Sequence, residues 1–404
     1  MTTLAVWLIA LPGFLAAYAY VGYPLLLLLV ATVRRGQGGG EGGVEGGGER
    51  VARPSVWPPM VSLTIPVFNE ERRIRAKLEE VLACDYPRDH LQVLVVSDAS
   101  TDGTDAVVRE FASRGVDLVR LPVRGGKTAA ENAALPHLRG EIVVNSDASI
   151  SVPPEALRRL VDAFQDPTVA VASGRDLSVT RLQAESNQGE SSYVGYEMWV
   201  RRLETRAAGI VGASGCFYAV RITVQRIGIP EALSRDFAAP LVAREQGFRS
   251  VSVDGAVAHV PRMSSLRREY RRKVRTMTRG IETLLYKRAL LDPFRYGLFA
   301  WQLWSHKVAR WLVPWAGLLA ALGAAMLALQ ASWAAALIVV MAVSAAVAVV
   351  GWHWPEDTAM PRLVAVPAFL VTGNLAVIHA TLNAVRGERH ATWEPTRRER
   401  PSGG

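Results

Sequence analysis

An apolar stretch that ends in an acidic turn is the most chemically pointed feature of the chain: Glu141-Ile-Val-Val-Asn-Ser146 runs straight into Asp147-Ala148-Ser149. A carboxylate at the carboxyl end of a buried strand stands where the loops of an open α/β sheet converge on one crevice. There it can hold a divalent metal against a diphosphate. Two further polar clusters follow apolar stretches upstream, Pro66-Val67-Phe68-Asn69-Glu70 and Ser97-Asp98-Ala99-Ser100-Thr101-Asp102-Gly103-Thr104. Lys127, after the pair Gly125-Gly126, supplies a cation suited to phosphate oxygens. Singly, each cluster reads as a turn or a helix cap, as Ser100 and Asp102 would be, and Asp236 reads as a helix-start carboxylate favoured by the macrodipole. Capping does not, however, require carboxylates at three successive strand ends.

The elements that must position these groups follow from periodicity. Strands are expected at Met60–Pro66, Leu91–Ser97, Val116–Leu121 and Glu141–Ser146. Helices are expected between them at Glu70–Cys84, Thr101–Ser113 and Lys127–Leu138. That alternation predicts an α/β fold with a mostly parallel sheet and helices on both faces. A helix at Pro153–Phe164, a strand at Thr168–Ser173, a helix at Ala238–Gln246 and a strand at Phe248–Val253 extend it. The two cysteines, Cys84 and Cys216, give no disulfide framework, suit a reducing compartment and read as buried apolar thiols.

Half of the 404 residues are hydrophobic and the net charge is +9, which favours an anionic phospholipid surface over nucleic acid as partner. Leu4 to Val33 carries no charged side chain and reads as a retained transmembrane helix, with Pro12 and Pro24 as potential kinks. Arg34 and Arg35 after it place the following domain in the cytoplasm. Gly36 to Gly48 is mostly glycine, a flexible tether with a reach of roughly 20–25 Å.

Read together, these motifs resemble the membrane-bound glycosyltransferases of family 2, with their GT-A catalytic domain. Thr64-Ile-Pro-Val-Phe-Asn-Glu-Glu71 is similar to that family's opening strand and nucleotide loop, which implies that Pro66, Phe68, Asn69 and Glu70 border the donor. Val96-Ser-Asp-Ala-Ser-Thr-Asp-Gly-Thr104 is similar to its second loop, which implies that Asp98 hydrogen-bonds uracil or an equivalent base. Gly125 to Asn132 resembles the segment that brings a lysine, here Lys127, near the nucleotide. Asp147-Ala148-Ser149 aligns with the family's Asp-X-Asp, which implies Mg2+ or Mn2+ on Asp147. Ser149, a poorer metal ligand, stands at the second acidic position. Val211 to Arg221 resembles an acceptor-side glycine segment. Asp236 aligns with the catalytic base, in a motif that more often has an acid where Arg235 stands.

Arg267 to Arg279 is strongly basic and by itself reads as an amphipathic helix on anionic headgroups. Processive family members carry Gln-X-X-Arg-Trp here, against which Arg272-Lys-Val-Arg-Thr276 keeps the arginine alone. The resemblance implies Arg272 near the donor and Arg275 on the departing diphosphate, while the missing tryptophan argues against polymerisation. Phe294 to Arg310 reads as an interfacial helix. Trp311–Leu329, Trp333–Trp352 and Leu363–Val385 read as three spans. Three spans would put the basic tail outside although its charge places it inside. A re-entrant last segment, or a further crossing within Phe294–Pro314, would reconcile the two. Trp393-Glu-Pro-Thr-Arg-Arg398 resembles tail segments that lie near the active site of some membrane synthases.

The expected organisation is a transmembrane helix over 1–33, a linker over 34–57 and a GT-A domain over 58–262. Basic and aromatic interfacial helices over 263–310, about three transmembrane helices over 311–385 and a tail over 386–404 complete it. The expected activity is inverting transfer of a sugar, from a nucleotide-sugar that is UDP-linked, to a carbohydrate acceptor in cell-surface polysaccharide synthesis. Single addition to a polyprenyl phosphate or glycolipid is the alternative. A catalytically inactive nucleotide-binding membrane module is the alternative of another class, motivated by Ser149 and the altered arginine motif.

Overall fold

The computed structural model describes residues 2–36, 57–179, 188–261, 265–355, 358 and 360–388. The tether from Gln37 onward and the tail segment Trp393–Arg398 lie outside the described residues.

Among the described residues, seven strands make one sheet: β1 (Val61–Val67), β2 (Leu91–Ser97), β3 (Val116–Arg120), β4 (Ile142–Ser146), β5 (Val169–Val179), β6 (Phe217–Arg221) and β7 (Arg249–Pro261). Their order across the sheet is β3-β2-β1-β4-β6-β5-β7. Neighbours among β1 to β4 are parallel, as are β5 and β7, while β6 runs antiparallel to both β4 and β5. β1, β2 and β4 are buried at every position, as expected of parallel strands covered on both faces. Alternate residues of β2 serve two cores: Val93 and Val95 pack with Ile74 and Leu78 on one face, Leu94 and Val96 with Ala130 and Ala134 on the other.

The chain winds from β1 outward to β2 and β3, then returns to place β4 on the other side of β1. That reversal is where an open sheet forms a ligand crevice. β1 and β4 pair only from Val61↔Ile142 to Thr64↔Asn145. Pro66, which has no N–H to give, stands beyond the last paired residue, where the crevice opens.

Among the described residues, four helices are long and apolar enough to cross a membrane: Thr2–Arg34, Pro293–Leu327, Ser332–Trp352 and Arg362–Arg386. The expected interfacial segment Phe294–Arg310 is broken at Gly297, whose φ of 50° is not helical, and from residue 298 it and the span after it form one rod to Leu327. At 1.5 Å per residue, residues 298–327 run about 45 Å, against roughly 30 Å of hydrocarbon. The rod therefore supplies no second crossing within Phe294–Pro314. Both the first span and this rod contain a π-helical turn, Tyr18–Gly22 and Trp304–Ala309. Tyr18 joins the two turns, with its hydroxyl 2.7 Å from Ser305 Oγ and accepting from Trp301 Nε1 at 3.0 Å. The helix Gln188–Ala207, which the sequence patterning did not disclose, packs Val200, Leu203 and Ala207 against Tyr23, Leu27 and Ala31 of the first span.

Candidate active site

Three loops at the carboxyl ends of β1, β2 and β3 are knitted together by backbone-directed hydrogen bonds. Asn69 Oδ1 accepts from Thr101 N at 2.8 Å, Glu70 N donates to Thr104 Oγ1 at 2.8 Å, and Asn69 N donates to Ser100 Oγ at 3.2 Å. Asp102 Oδ1 accepts from Thr104 N at 3.0 Å within the turn, but the N-cap of the helix Thr104–Arg109 is Gly103, so neither Ser100 nor Asp102 is the cap. Both oxygens of Asp98 are engaged, Oδ1 by Gly125 N at 2.7 Å and Oδ2 by Gly126 N at 2.8 Å. Asp98 therefore fixes the turn that launches Lys127, and only its remaining lone pairs can meet a base. Gly126 has φ 91°, which only glycine adopts at little cost. Asn69 and Ala99 also have positive φ, 53° and 56°, and at alanine this costs about 1–2 kcal/mol.

Lys127 Nζ donates to Asp147 Oδ1 at 2.6 Å and to the Gly215 carbonyl at 2.5 Å. Burial works against its charge, but Asp147, Glu131 and Asp236 together hold its pKa above the ordinary lysine value. Pro66, Asp98, Lys127 and Asp147 line one small cleft. Lys127 and Asp147 also line a second cavity of about 480 Å³ that contains Asp236, Arg272 and Arg275. Asp236, in the first turn of the helix Arg235–Glu245, accepts from Ser234 Oγ at 2.5 Å. A Cβ at Gly215 would lie 2.9 Å from Asp236 Oδ2, so the glycine is what lets the carboxylate stand there. Arg235 is buried, donates to the Gln225 carbonyl at 3.0 Å and lies 3.8 Å from Glu131.

Among the described residues no three His, Cys, Asp or Glu side chains cluster as a metal cage. Mg2+ and Mn2+ do not need one when a diphosphate and water fill most of the coordination sphere. Asp147 fits as the single protein carboxylate of such a site. Ser149, two residues on, is not among the residues lining either cavity.

The helix Leu266–Tyr286 carries the basic motif, and it packs on the membrane helix Arg362–Arg386. Arg272 is held bidentately by Glu269, at 2.9 and 2.7 Å. Arg279, buried, donates to Thr128 Oγ1 at 2.7 Å and to the carbonyls of Leu233 and Glu231, tying the helix to both the lysine segment and the Asp236 loop. Opposite, the cavity reaches the membrane helices through Tyr20, His306, Lys307, Arg310, Trp311 and Val377. There His306 Nδ1 lies 2.6 Å from Glu204 Oε1 and Nε2 lies 3.0 Å from Glu197 Oε2. Tyr23 donates to Glu204 Oε1 at 2.7 Å, and Arg310 pairs with Glu197. Burial alone would raise Glu197, yet His306 and Arg310 hold its carboxyl well below the usual range.

The structure thus gathers Pro66, Asp98, Lys127, Asp147, Arg272, Arg275 and Asp236 around connected space. It does not bring Asn69 and Glu70 into either cavity. Asn69 is spent on Thr101, and Glu70 is buried against Arg73 at 3.2 Å. Phe68 stacks under Arg124, 3.8 Å from ring centre to guanidinium. Cys216 is not a simple apolar thiol, since its Sγ donates to Asp176 Oδ1 at 3.1 Å. Gly215, Thr128 and Ser234 fall in segments that the sequence singles out, without their own contacts being legible there, and the ionic group around His306 escaped the motif reading. For the last, a His-Lys-x-x-Arg run inside an otherwise apolar rod is the signal that marks it.

Residues 62–216 match the family model described as glycosyl transferase family 2. The beta-monoglucosyldiacylglycerol synthase of Synechocystis sp. is 30% identical over 167 residues, which are 40% of this chain and 35% of that protein. An undecaprenyl-phosphate 4-deoxy-4-formamido-L-arabinose transferase of Aeromonas hydrophila is 36% identical over 108 residues, 26% of this chain and 33% of that protein. The chain thus spans about a third of the length of these curated relatives. A mannosyltransferase from Pyrobaculum calidifontis, solved in complex with GDP-Man and Mn2+, superposes with a TM-score of 0.67 at 25% identity, covering 95% of this chain and 100% of that one.

Proposed function

We propose, from the match of residues 62–216 to glycosyl transferase family 2 and from the GT-A-like domain, that the chain is an inverting transferase that moves a sugar from a nucleotide-sugar to a hydroxyl of a lipid-linked acceptor at the membrane. The observation that carries this reading is the 480 Å³ cavity, whose lining joins Asp147 and Asp236 to Tyr20, Trp311 and Val377 of three membrane helices. An acceptor held in the bilayer needs such a passage. Polysaccharide synthesis, the reading favoured by the membrane segments alone, does not explain it as directly.

In the proposed reaction the acceptor hydroxyl attacks the anomeric carbon as Asp236 takes its proton, and the bond to the diphosphate breaks with inversion. Lys127, and Arg275 from the basic helix, stabilise the departing diphosphate. A divalent ion on Asp147, when bound, supplies additional charge to the phosphates. By their names one of the relatives makes a glucosylated diacylglycerol and the other is an undecaprenyl-phosphate sugar transferase, and the structural neighbour holds GDP-Man and Mn2+. These support a lipid acceptor and a nucleotide-sugar donor. They leave UDP and GDP both as candidate donors. By charge, the domain that holds the site lies on the cytoplasmic side of a multi-pass membrane protein.

The test is transfer by purified full-length protein in nanodiscs, with a panel of labelled UDP- and GDP-sugars and native lipids as acceptors. A single lipid-soluble labelled product is expected, whereas a ladder of products would return the reading to polymerisation. Asp236→Asn is expected to cut transfer by about 10²–10⁴ while nucleotide diphosphate still binds by calorimetry. Transfer by this variant at the normal rate removes Asp236 from the role of base.

A further inference from the structure

Two cations in the cavity are not spent on the protein. Lys307 Nζ makes no hydrogen bond or ion pair with any described residue. It lies 5.3 Å from the centre of the Phe237 ring and would stand 3.6 Å from a Cβ placed on Gly212. Arg201 donates one long bond, Nη2 to the Ala213 carbonyl at 3.4 Å, while its Nη1 is buried with no partner among the described residues. The nearby carboxylates act on Lys307 through the field alone and make their hydrogen bonds elsewhere: Glu197 with His306 and Arg310, and Glu204 with His306 and Tyr23. A buried guanidinium nitrogen with nothing to donate to is costly unless a ligand completes it.

The placement of the pair is specific. Gly212 and Ala213 lead into Gly215, beside Asp236, and Ala213 N donates to the Asp236 carbonyl at 3.2 Å. Phe237, under Lys307, directly follows Asp236. Lys307 itself rides on the π-helical turn Trp304–Ala309, and π turns are frequent where a helix is shaped for function. The cations therefore stand on the membrane side of the base. Lys127 and Arg275 lie in the same cavity and belong, in the reading above, to the donor diphosphate.

We propose that Lys307 and Arg201 form an anion site for the phosphate of the acceptor lipid, so that the acceptor is a phosphodiester-linked lipid whose nearby hydroxyl is presented to Asp236. This rests on the lipid-acceptor reading above and adds the headgroup chemistry. The phosphate is an anchor and is not consumed. The hydroxyl oxygen bonds to the anomeric carbon, the anomeric carbon–diphosphate bond breaks, and the proton goes to Asp236. Were a phosphate monoester itself the nucleophile, no base would be needed, and the place of Asp236 beside the pair would be unexplained.

The experiment uses full-length protein in phosphatidylcholine nanodiscs with labelled nucleotide-sugar. The acceptors are phosphatidylglycerol, phosphatidylinositol, diacylglycerol, a long-chain isoprenyl monophosphate, and native membrane lipids split by anion exchange into neutral and acidic fractions, the acidic one with and without phosphomonoesterase treatment. Label is expected in hydroxyl-bearing acidic lipids and should survive phosphomonoesterase. Lys307→Met and Arg201→Gln are each expected to raise the acceptor KM roughly 10- to 100-fold, the loss of a charge-assisted contact, with Lys307→Arg restoring most of it. Monomeric elution and an unshifted thermal transition establish that the variants fold. Preference for diacylglycerol or the neutral fraction, loss of label after phosphomonoesterase, transfer to the isoprenyl monophosphate alone, or an unchanged acceptor KM in both variants overturns the anion site while leaving lipid transfer standing. Nucleotide-sugar turnover with no label in any lipid overturns the lipid-acceptor reading itself.

Discussion

At the sheet end of the cavity, positions are fixed by the backbone: loops bonded to loops through Asn69, Asp98 and Asp102, with glycine at 126 where the turn demands it. At the membrane end they are fixed by side chains: Tyr23, Glu197, Glu204, His306 and Arg310 join helices from three parts of the sequence. The first construction is spread over many bonds to backbone groups, so no single bond carries it. The second is concentrated, because each carboxylate serves two groups. Removing one member leaves buried charge uncompensated.

This contrast can be broken most severely at Glu204, which is fully buried beneath Tyr23 and His306. Glu204→Leu is expected to cost about 3–5 kcal/mol, read as a large fall in the thermal transition in detergent, with nucleotide diphosphate affinity of the surviving folded protein little changed. A variant as stable as the wild type would mean that the ionic group does not hold the membrane end together. At the junction of the two ends, Gly215→Ala should force Asp236 out of place and reduce turnover about 10²-fold, with the nucleotide Kd changing far less. Parallel loss of both would place Gly215 with the donor. The smallest effect belongs to the sheet end. Ala99→Gly relieves a left-handed alanine but loosens the unfolded chain, so a gain of no more than about 1 kcal/mol is expected in chemical denaturation. A loss above that size would show that the Ala99 methyl packs usefully despite its backbone.

The sheet end was legible in the sequence because its logic is local. Apolar runs became β1, β2 and β4 nearly to the residue, and the polar clusters after them became the crevice. β6 was not legible as a strand. Phe217–Arg221 is short, follows a glycine-containing turn and pairs with β4 and β5, far away in sequence. Glu70 and Asn69 matched a motif, yet they serve the loops and not the cavity, because a motif records residue type and not the direction a side chain takes. The membrane end was the least legible. Glu197 and Glu204 lie on a helix with no clean apolar stripe, and their partners His306 and Arg310 are 102 to 113 residues away. Spacing within one element cannot disclose a group assembled from three.

The π turn at Trp304–Ala309 gives the long rod a change of register. An ordinary helix advances about 100° per residue, so one residue gained within a turn rotates everything after it relative to everything before. Tyr296 and Leu303 pack with Leu290 below the turn, whereas Leu318, Leu319 and Leu322 above it are largely exposed, as a lipid-facing surface would be. Deleting one residue from the turn would keep the composition of both halves but misphase them. Either the lower half would lose its protein core or the upper half would turn its lipid face inward. The rod therefore works as a phase adaptor between two surroundings, and its length in residues is constrained more tightly than its hydrophobicity.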